Sequence, residues 1–296
     1  MDIFLQTLIT GILTGGLYAM IGIGLNMVFG VMRVVNFAHG ALVMVSMYLT
    51  WLVFTWFGID PFLALFITLP VMFLFGVFLQ RIFIERILDT AELNQILLTE
   101  GLGIILVNVA LLLFSADYQL IHPDGDLYNE VLRIAGIALD YKRILAFIIA
   151  IALTGALFWF LTRTDMGKSM RATAQDREAA RLMGVNVRLV SALAMGIGVA
   201  MAGAAGTLLV PIFQRVEPFI GNPFTLRAFV VVVLGGMGSI TGATVGGIVL
   251  GVVEALAGVY NPTFLGGANN APVYGFIIFL LILLFKPSGL FGNSRV

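Results

Sequence analysis

Long stretches of this chain carry no charged side chain, among them 3–32, 61–80, 101–116, 144–162, 189–214, 228–253 and 255–285. Most reach or approach the ~20 residues that a helix needs to cross a bilayer. A soluble core would alternate polar and apolar faces, and these runs do not. Only 11% of the 296 residues are charged, against about 25% in a typical soluble domain. The pattern predicts an all-α, polytopic integral membrane protein.

Polar punctuation between the runs places spans near 5–29, 38–57, 61–80, 96–114, 144–162, 190–211, 225–236, 242–258 and 271–285. The seventh is short, so eight or nine helices are expected, some of them broken or re-entrant. No low-complexity linker divides the chain, and residues 1–296 are taken as a single transmembrane domain. The N-terminal MDIFLQTLITGILTGG lacks the positive n-region of a cleaved leader and is expected to remain as the first helix.

Orientation follows from the bias of Lys and Arg toward cytoplasmic loops. The 163–188 stretch holds Arg163, Lys168, Arg171, Arg177, Arg181 and Arg188, and is placed inside. Counting outward puts Arg33, Arg81, Arg86 and the Lys286–Arg295 tail on the same side. The 115–143 loop, with Asp117, Asp124, Asp126, Glu130 and Asp140, falls outside with the N-terminus.

Several classes are disfavoured. Zero net charge argues against a broad basic surface for nucleic acid. The chain has no cysteine, and its two histidines, His39 and His122, are far apart, which leaves no donor set for a metal. No cofactor is expected, and no nucleophile–base pair marks a catalytic residue.

Residues 167–183 read as a surface helix, with Asp165 at its N-terminal dipole and Gly184 followed by Asn186 ending it. Lys168, Arg171, Gln175 and Glu178 fall on one face, and Ala172, Ala179 and Met183 on another. Its opening Gly167-Lys168-Ser169 is not a phosphate loop, because that loop needs a glycine at position 162, which is Thr, and a preceding strand. The chain is therefore expected to hold no ATPase of its own. Positive-inside anchoring with headgroup contact explains the basic residues. It does not call for Asp176 and Glu178 among them, nor for alanines at helical spacing. Docking on a protein at the cytoplasmic surface accounts for both.

Two glycine-rich interruptions stand out, GVMRVVNFAHG at 30–40 and LGGMGSITGA at 234–243. Irregular backbone at membrane depth is tolerated only where protein or a water-filled cavity satisfies it. Matched interruptions in the two halves of a transporter point to the transport path. Asn36, His39, Ser239 and Thr241 add hydrogen-bonding side chains there. Tight turns between packed hairpins use the same residues. Ionisable residues within spans are few: Glu100 at the start of the fourth, Arg227 at the opening of the short one and Glu254 in the eighth. Pairing of Glu254 with Arg227 or a polar neighbour is the favoured role, and three scattered charges do not make a proton relay. Small-residue spacings such as Gly198/Ala202/Gly206 and Gly242/Gly246 permit close helix contacts, within the chain or to a second subunit.

In this order the residues resemble a known family. Gly16-Leu17-Tyr18-Ala19 is followed by Asn36-Phe37-Ala38-His39-Gly40. Met166-Gly167-Lys168, Arg171-Ala172 and Ala174-Gln175-Asp176 lead to Leu182-Met183-Gly184-Val185. Pro218-Phe219-Ile220-Gly221, Val233-Leu234-Gly235-Gly236-Met237-Gly238-Ser239, Gly242-Ala243, Gly246-Gly247, Leu250-Gly251 and Glu254 follow. Pro287-Ser288-Gly289-Leu290-Phe291-Gly292 closes the pattern. The chain resembles the permease subunits of branched-chain amino-acid ABC importers, of the LivH type, over essentially its whole length. Glu178-Ala179-Ala180 with Gly184 is similar to the first part of the cytoplasmic loop signature of such permeases, and the Leu-Pro of the later part is absent.

The resemblance implies a second homologous permease of the LivM type as partner. It further implies two cytoplasmic ATPases, a periplasmic or lipoprotein substrate-binding protein, and a bacterial or archaeal plasma membrane. It implies that the 167–184 helix couples to the ATPases through Lys168, Arg171, Gln175, Asp176, Glu178, Ala179, Arg181 and Gly184. The expected substrate path runs by Asn36, Phe37, His39, Gly40, Gly235, Gly236, Gly238 and Ser239. Leucine, isoleucine and valine are the expected cargo, moved by alternating access. Relatives that carry urea, short amides or other amino acids share most of these motifs, and Arg227 stands where the family carries Lys. From another class, an ion-coupled secondary transporter would need a titratable cluster in mid-membrane, which the chain lacks.

Overall fold

A backbone in lipid must satisfy its own N–H and C=O groups, and the uncharged runs do so as helices. The computed structural model describes residues 2–88, 90–123, 125, 128, 130–134, 136–261, 267–286 and 288–292. Asp124, Asp126, Pro287 and Arg295, used in the charge and signature arguments above, lie outside the described residues. The first four helices are α1 Asp2–Met32, α2 His39–Phe57, α3 Leu65–Ile82 and α4 Glu92–Phe114. Then come α5 Tyr141–Arg163, α6 Asp165–Gln175, α7 Arg177–Leu182 and α8 Val187–Phe213. The last three are α9 Asn222–Gly235, α10 Ile240–Tyr260 and α11 Ala271–Phe285.

Seven of these, α1 to α5, α8 and α10, are long and apolar enough to cross a membrane. The α9 helix has 14 residues and α11 has 15. At 1.5 Å per residue they measure only about 21 and 22 Å, short of the ~30 Å hydrocarbon core. The expected eight or nine spans thus resolve into seven full ones and two shorter apolar helices. Two small antiparallel ladders lie at the end of the bundle opposite α6. The strand β1 Gln119–Leu120 pairs with β4 Arg215–Val216, and β2 Val131–Ile134 with β3 Ile137–Asp140. At that end the Tyr128 hydroxyl donates to the Asp60 carboxylate. Burial first, and then that carboxylate, raises its pKa.

The core is built on α1 and α8, which glycine lets approach backbone to backbone. A Cβ on Gly198 of α8 would lie 2.6 Å from the Gly24 carbonyl oxygen of α1, and one on Gly251 of α10 would lie 2.4 Å from Gly15 Cα. The small-residue spacings therefore serve contacts inside the chain. In the apolar window of α8, 89% of residues are buried, against 17% for α4, which lies at the margin of the bundle.

The charged stretch is not one helix. Thr164 caps α6, accepting from the Gly167 N–H at 3.0 Å, and Asp165 is its first helical residue. Asp176 then breaks the run with φ −150° and ψ 110°. Its carboxylate restarts the chain as α7 by accepting from the Glu178 and Ala179 N–H groups, 2.9 Å each. Glu178 accordingly leaves the face expected to hold Lys168, Arg171 and Gln175. The left-handed Gly184, φ +85°, follows the end of α7.

Candidate functional site

The first interruption is narrower than 30–40, because α1 continues through Gly30 to Met32. Arg33, at φ +57°, turns the chain out of α1, and residues 33–38 run back into the bundle without helix. Their polar groups find partners on α4 and on themselves. The Thr99 hydroxyl accepts from the Phe37 N–H at 3.3 Å and lies 3.2 Å from the Val35 carbonyl. Asn36 Oδ1 accepts from the Ala38 N–H at 3.1 Å. His39, fully buried, places Nε2 2.9 Å from the Ile21 carbonyl, near the middle of α1. A carbonyl only accepts, so Nε2 holds the proton and Nδ1 is left as an acceptor. Among the described residues, neither His39 Nδ1 nor Asn36 Nδ2 has a hydrogen-bond partner.

The α2 helix therefore begins deep in the bundle, and what it meets there is the start of α9. A Cβ on Gly40 would lie 2.2 Å from the Gly221 oxygen, and the Gly40 N–H donates to Thr225 Oγ1 at 3.1 Å. The two helices leave this joint in opposite directions with their N-termini together, and Phe37 packs on Phe229 with ring centroids 4.9 Å apart. Sequence reasoning quoted Gly221 only as part of a signature and passed over Asn222 and Thr225. Pro223, two residues after Gly221 and at the head of an apolar run, was the available signal for a helix start.

The second interruption lies elsewhere. Gly235 ends α9, and residues 236–239 turn through Gly236 at φ +100° and Gly238 at φ +84°, a region open to glycine. Ser239 caps α10, accepting from the Gly242 N–H at 3.0 Å. Asn26 of α1 grips this turn with both ends of its amide. Nδ2 donates to the Ser239 carbonyl at 2.8 Å, and Oδ1 accepts from the Gly238 N–H at 2.6 Å. A returning segment adds Leu290 N–H to the Leu234 carbonyl at 2.9 Å and Phe291 N–H to that of Gly235 at 3.1 Å. Asn26 was missed in the sequence, although a lone amide in an uncharged run was there to be noticed. Both interruptions lean on α1, the first at Ile21 and the second at Asn26. They sit at different depths and do not form one cluster.

The inner side of α6 is held by Gly167, packed on the backbone of Leu161, and by Met170, 1% exposed. Between α1, α5, α6 and the second interruption lies a cavity of about 210 Å³, lined among others by Asn26, Phe158, Met170, Arg171 and Gly238. The outer side is open: Lys168, Arg171, Gln175, Asp176, Glu178, Ala179, Arg181 and Gly184 are all exposed. Lys168 Nζ lies 2.9 Å from Asp165. That hydrogen bond, and then the ammonium charge, hold the Asp165 carboxyl below its usual range.

In the other half of the bundle Arg227 Nε donates to both carboxylate oxygens of Glu254 at 3.0 Å. Tyr18 adds its hydroxyl at 3.1 Å, and the guanidinium lies over the rings of Tyr18 and Phe224 at 5.2 and 5.7 Å. Glu254 is thus fully engaged. Glu100 is not at the start of its span: α4 begins at Glu92, and Glu100 stands two turns inside it.

A family model described as branched-chain amino acid transport system / permease component matches residues 7–285. The chain is 32% identical to the high-affinity branched-chain amino acid transport system permease protein BraD of Pseudomonas aeruginosa, over 99% of this chain and 97% of that one. It is equally similar to the corresponding permease protein LivH of Salmonella typhimurium, at 32% over 99% and 97%. The permease protein LivM of Escherichia coli is 26% identical over 94% of this chain and 68% of its own length.

Proposed function

The chain belongs to the family of branched-chain amino-acid transport permease components, and from that premise we propose that it is one membrane-spanning half of an ATP-driven importer for leucine, isoleucine and valine. It is a multi-pass plasma-membrane protein that forms a single permease domain. Its partner half is a LivM-type permease, a reading supported by the likeness of this chain to LivM. ATP hydrolysis belongs to two cytoplasmic ATPases, and substrate arrives on a binding protein at the face that holds β1 to β4.

One observation carries the mechanism. The α6 helix is exposed on its outer side, and on its inner side it shares a cavity with Asn26 and Gly238. The α6 helix also packs on α1, whose Asn26 holds the second interruption, so a displacement of α6 and α7 by an ATPase reaches that turn through α1. The α9 helix joins that turn to the Gly40–Gly221 joint, so the movement reaches the point where α2 and α9 begin. Opening alternately to each side about these joints moves the substrate across, and the high affinity for it resides in the binding protein.

The test is leucine uptake into proteoliposomes holding this chain and its permease partner, with and without ATPases and binding protein. ATP-dependent uptake that requires all components is the expected result. Uptake by this chain alone, driven by a proton or sodium gradient, would overturn the proposal.

A further inference from the structure

We infer that the pocket beside the Gly40–Gly221 joint holds the head group of the transported amino acid, with Glu100 receiving its ammonium. This rests on the amino-acid reading above and gives the ligand a place. The pocket measures about 420 Å³, within the ~300–1,000 Å³ usual for small-molecule sites. On one wall α4 contributes Glu100, Ile104 and Val107, and on the other the start of α9 contributes Asn222, Thr225 and Leu226.

Two acids lie within spans, and their surroundings differ. Glu254 is engaged by Arg227 and Tyr18. The Glu100 side chain makes no hydrogen bond or ion pair among the described residues, although it stands two turns inside α4 beside Thr99, which holds the first interruption. An ionised carboxylate at that depth is tolerated where water or a cation reaches it. The pocket admits both.

The opposite wall suits the carboxylate of the same ligand. Backbone donors at the joint are already committed: Asn222 N–H to the Phe219 carbonyl, Phe224 and Thr225 N–H to that of Gly221, and Gly40 N–H to Thr225 Oγ1. Pro223 has none. Recognition of an anion therefore falls to side chains. Asn222 is exposed with its amide free of hydrogen bonds among the described residues. Thr225, which accepts from Gly40, keeps a hydroxyl proton to donate. Between the two walls Ile104, Val107 and Leu226 present the apolar surface that a branched side chain needs. A ligand with an ammonium, a carboxylate and a short hydrocarbon branch satisfies every wall. An uncharged amide leaves Glu100 unmatched.

The experiment uses the complete transporter in proteoliposomes, with radiolabelled leucine as probe. Glu100→Gln is expected to lower uptake about ten-fold or more, while the permease pair still co-purifies and binding protein still stimulates ATP hydrolysis. Glu100→Asp is expected to retain more uptake than Glu100→Gln. Asn222→Ala tests the carboxylate wall independently, should Glu100→Gln fail to insert, and is expected to lower the maximal rate of leucine uptake while binding-protein-stimulated ATP hydrolysis persists. Uptake by Glu100→Gln within about two-fold of the parent overturns the inference, as does an unchanged maximal rate of uptake in Asn222→Ala. Loss of the second permease from the purified Glu100→Gln complex also overturns it, assigning Glu100 to a subunit contact instead. A parent complex that carries no leucine defeats the functional reading itself, and the two failures are thereby separated.

Discussion

Replacing Asn26 by leucine removes both hydrogen bonds that tie the second interruption to α1 and keeps the branching and the number of heavy atoms of the side chain. Two limits bracket the cost. If the released groups stayed dry, each would cost about 1–3 kcal/mol, or roughly 2–6 kcal/mol for the pair. The turn is not dry: Gly238 is exposed and Ser239 half-buried, whereas Asn26 itself is 2% exposed. Water therefore reaches the freed N–H and C=O, and the net worth of two ordinary hydrogen bonds, about 1–3 kcal/mol in total, is the better figure. Unfolding of the purified permease in detergent measures it, with Met27→Leu as an apolar exchange on the same helix expected to cost under about 1.5 kcal/mol. Hydrogen exchange gives a local readout, because one bond of about 0.5–1.5 kcal/mol corresponds to roughly two- to ten-fold faster exchange at the Gly238 amide. A stability change below about 0.5 kcal/mol with unaltered exchange across 236–240 would refute the claim that Asn26 holds the turn.

Arg227→Leu alone strands the Glu254 carboxylate and is expected to cost about 3–5 kcal/mol, whereas Arg227→Leu with Glu254→Leu costs less than that single change; a double-mutant cycle in detergent reads the coupling, and strict additivity would contradict the pairing. Gly40→Ala drives a Cβ to 2.2 Å from both the Gly221 oxygen and Thr225 Oγ1, and is expected to cost about 1–3 kcal/mol by overpacking and to abolish uptake; Gly155→Ala, with nothing within 4 Å of its Cβ, serves as the insertion-matched control and should transport normally. Exchanging charges by Glu178→Arg with Arg181→Glu is expected to separate ATP hydrolysis from uptake while membrane insertion is spared, and unchanged coupling would mean that α7 meets only lipid.

The long helices were legible because their cause is local: an uncharged run of the right length has one structural solution in lipid. The ends of α6 and α7 were legible only in part. A helical wheel drawn through Asp176 assumes an unbroken axis, and Asp176 prefers to cap the N–H groups ahead of it over continuing the helix. The two glycine-rich interruptions were found by composition. Their partners were not, because Gly40 meets Gly221 and Asn26 meets Gly238 across long separations in sequence. Glu100 was seen as ionisable but set at the start of its span, since Glu92, Asn94 and Gln95 read as loop and are in fact in the first turn of α4. The ladder of β1 with β4, two residues a side, leaves no periodicity to detect.

The burial of α1 also bears on how such a chain is assembled. Gly11, Gly15, Gly22 and Gly24 find their counterparts on α8, α9 and α10, and Asn26 on the turn before α10, all beyond the midpoint of the sequence. During synthesis α1 enters the bilayer long before any of them exist, and it waits there with a polar amide and open backbone grooves facing lipid or the insertion machinery. The α1 helix is thus made before these partners and settled only after them. A break in the chain at the turn around Gly184 would divide the helices into a leading group without its core and a trailing group without its central strut. Two such pieces regain the fold only if they are inserted together.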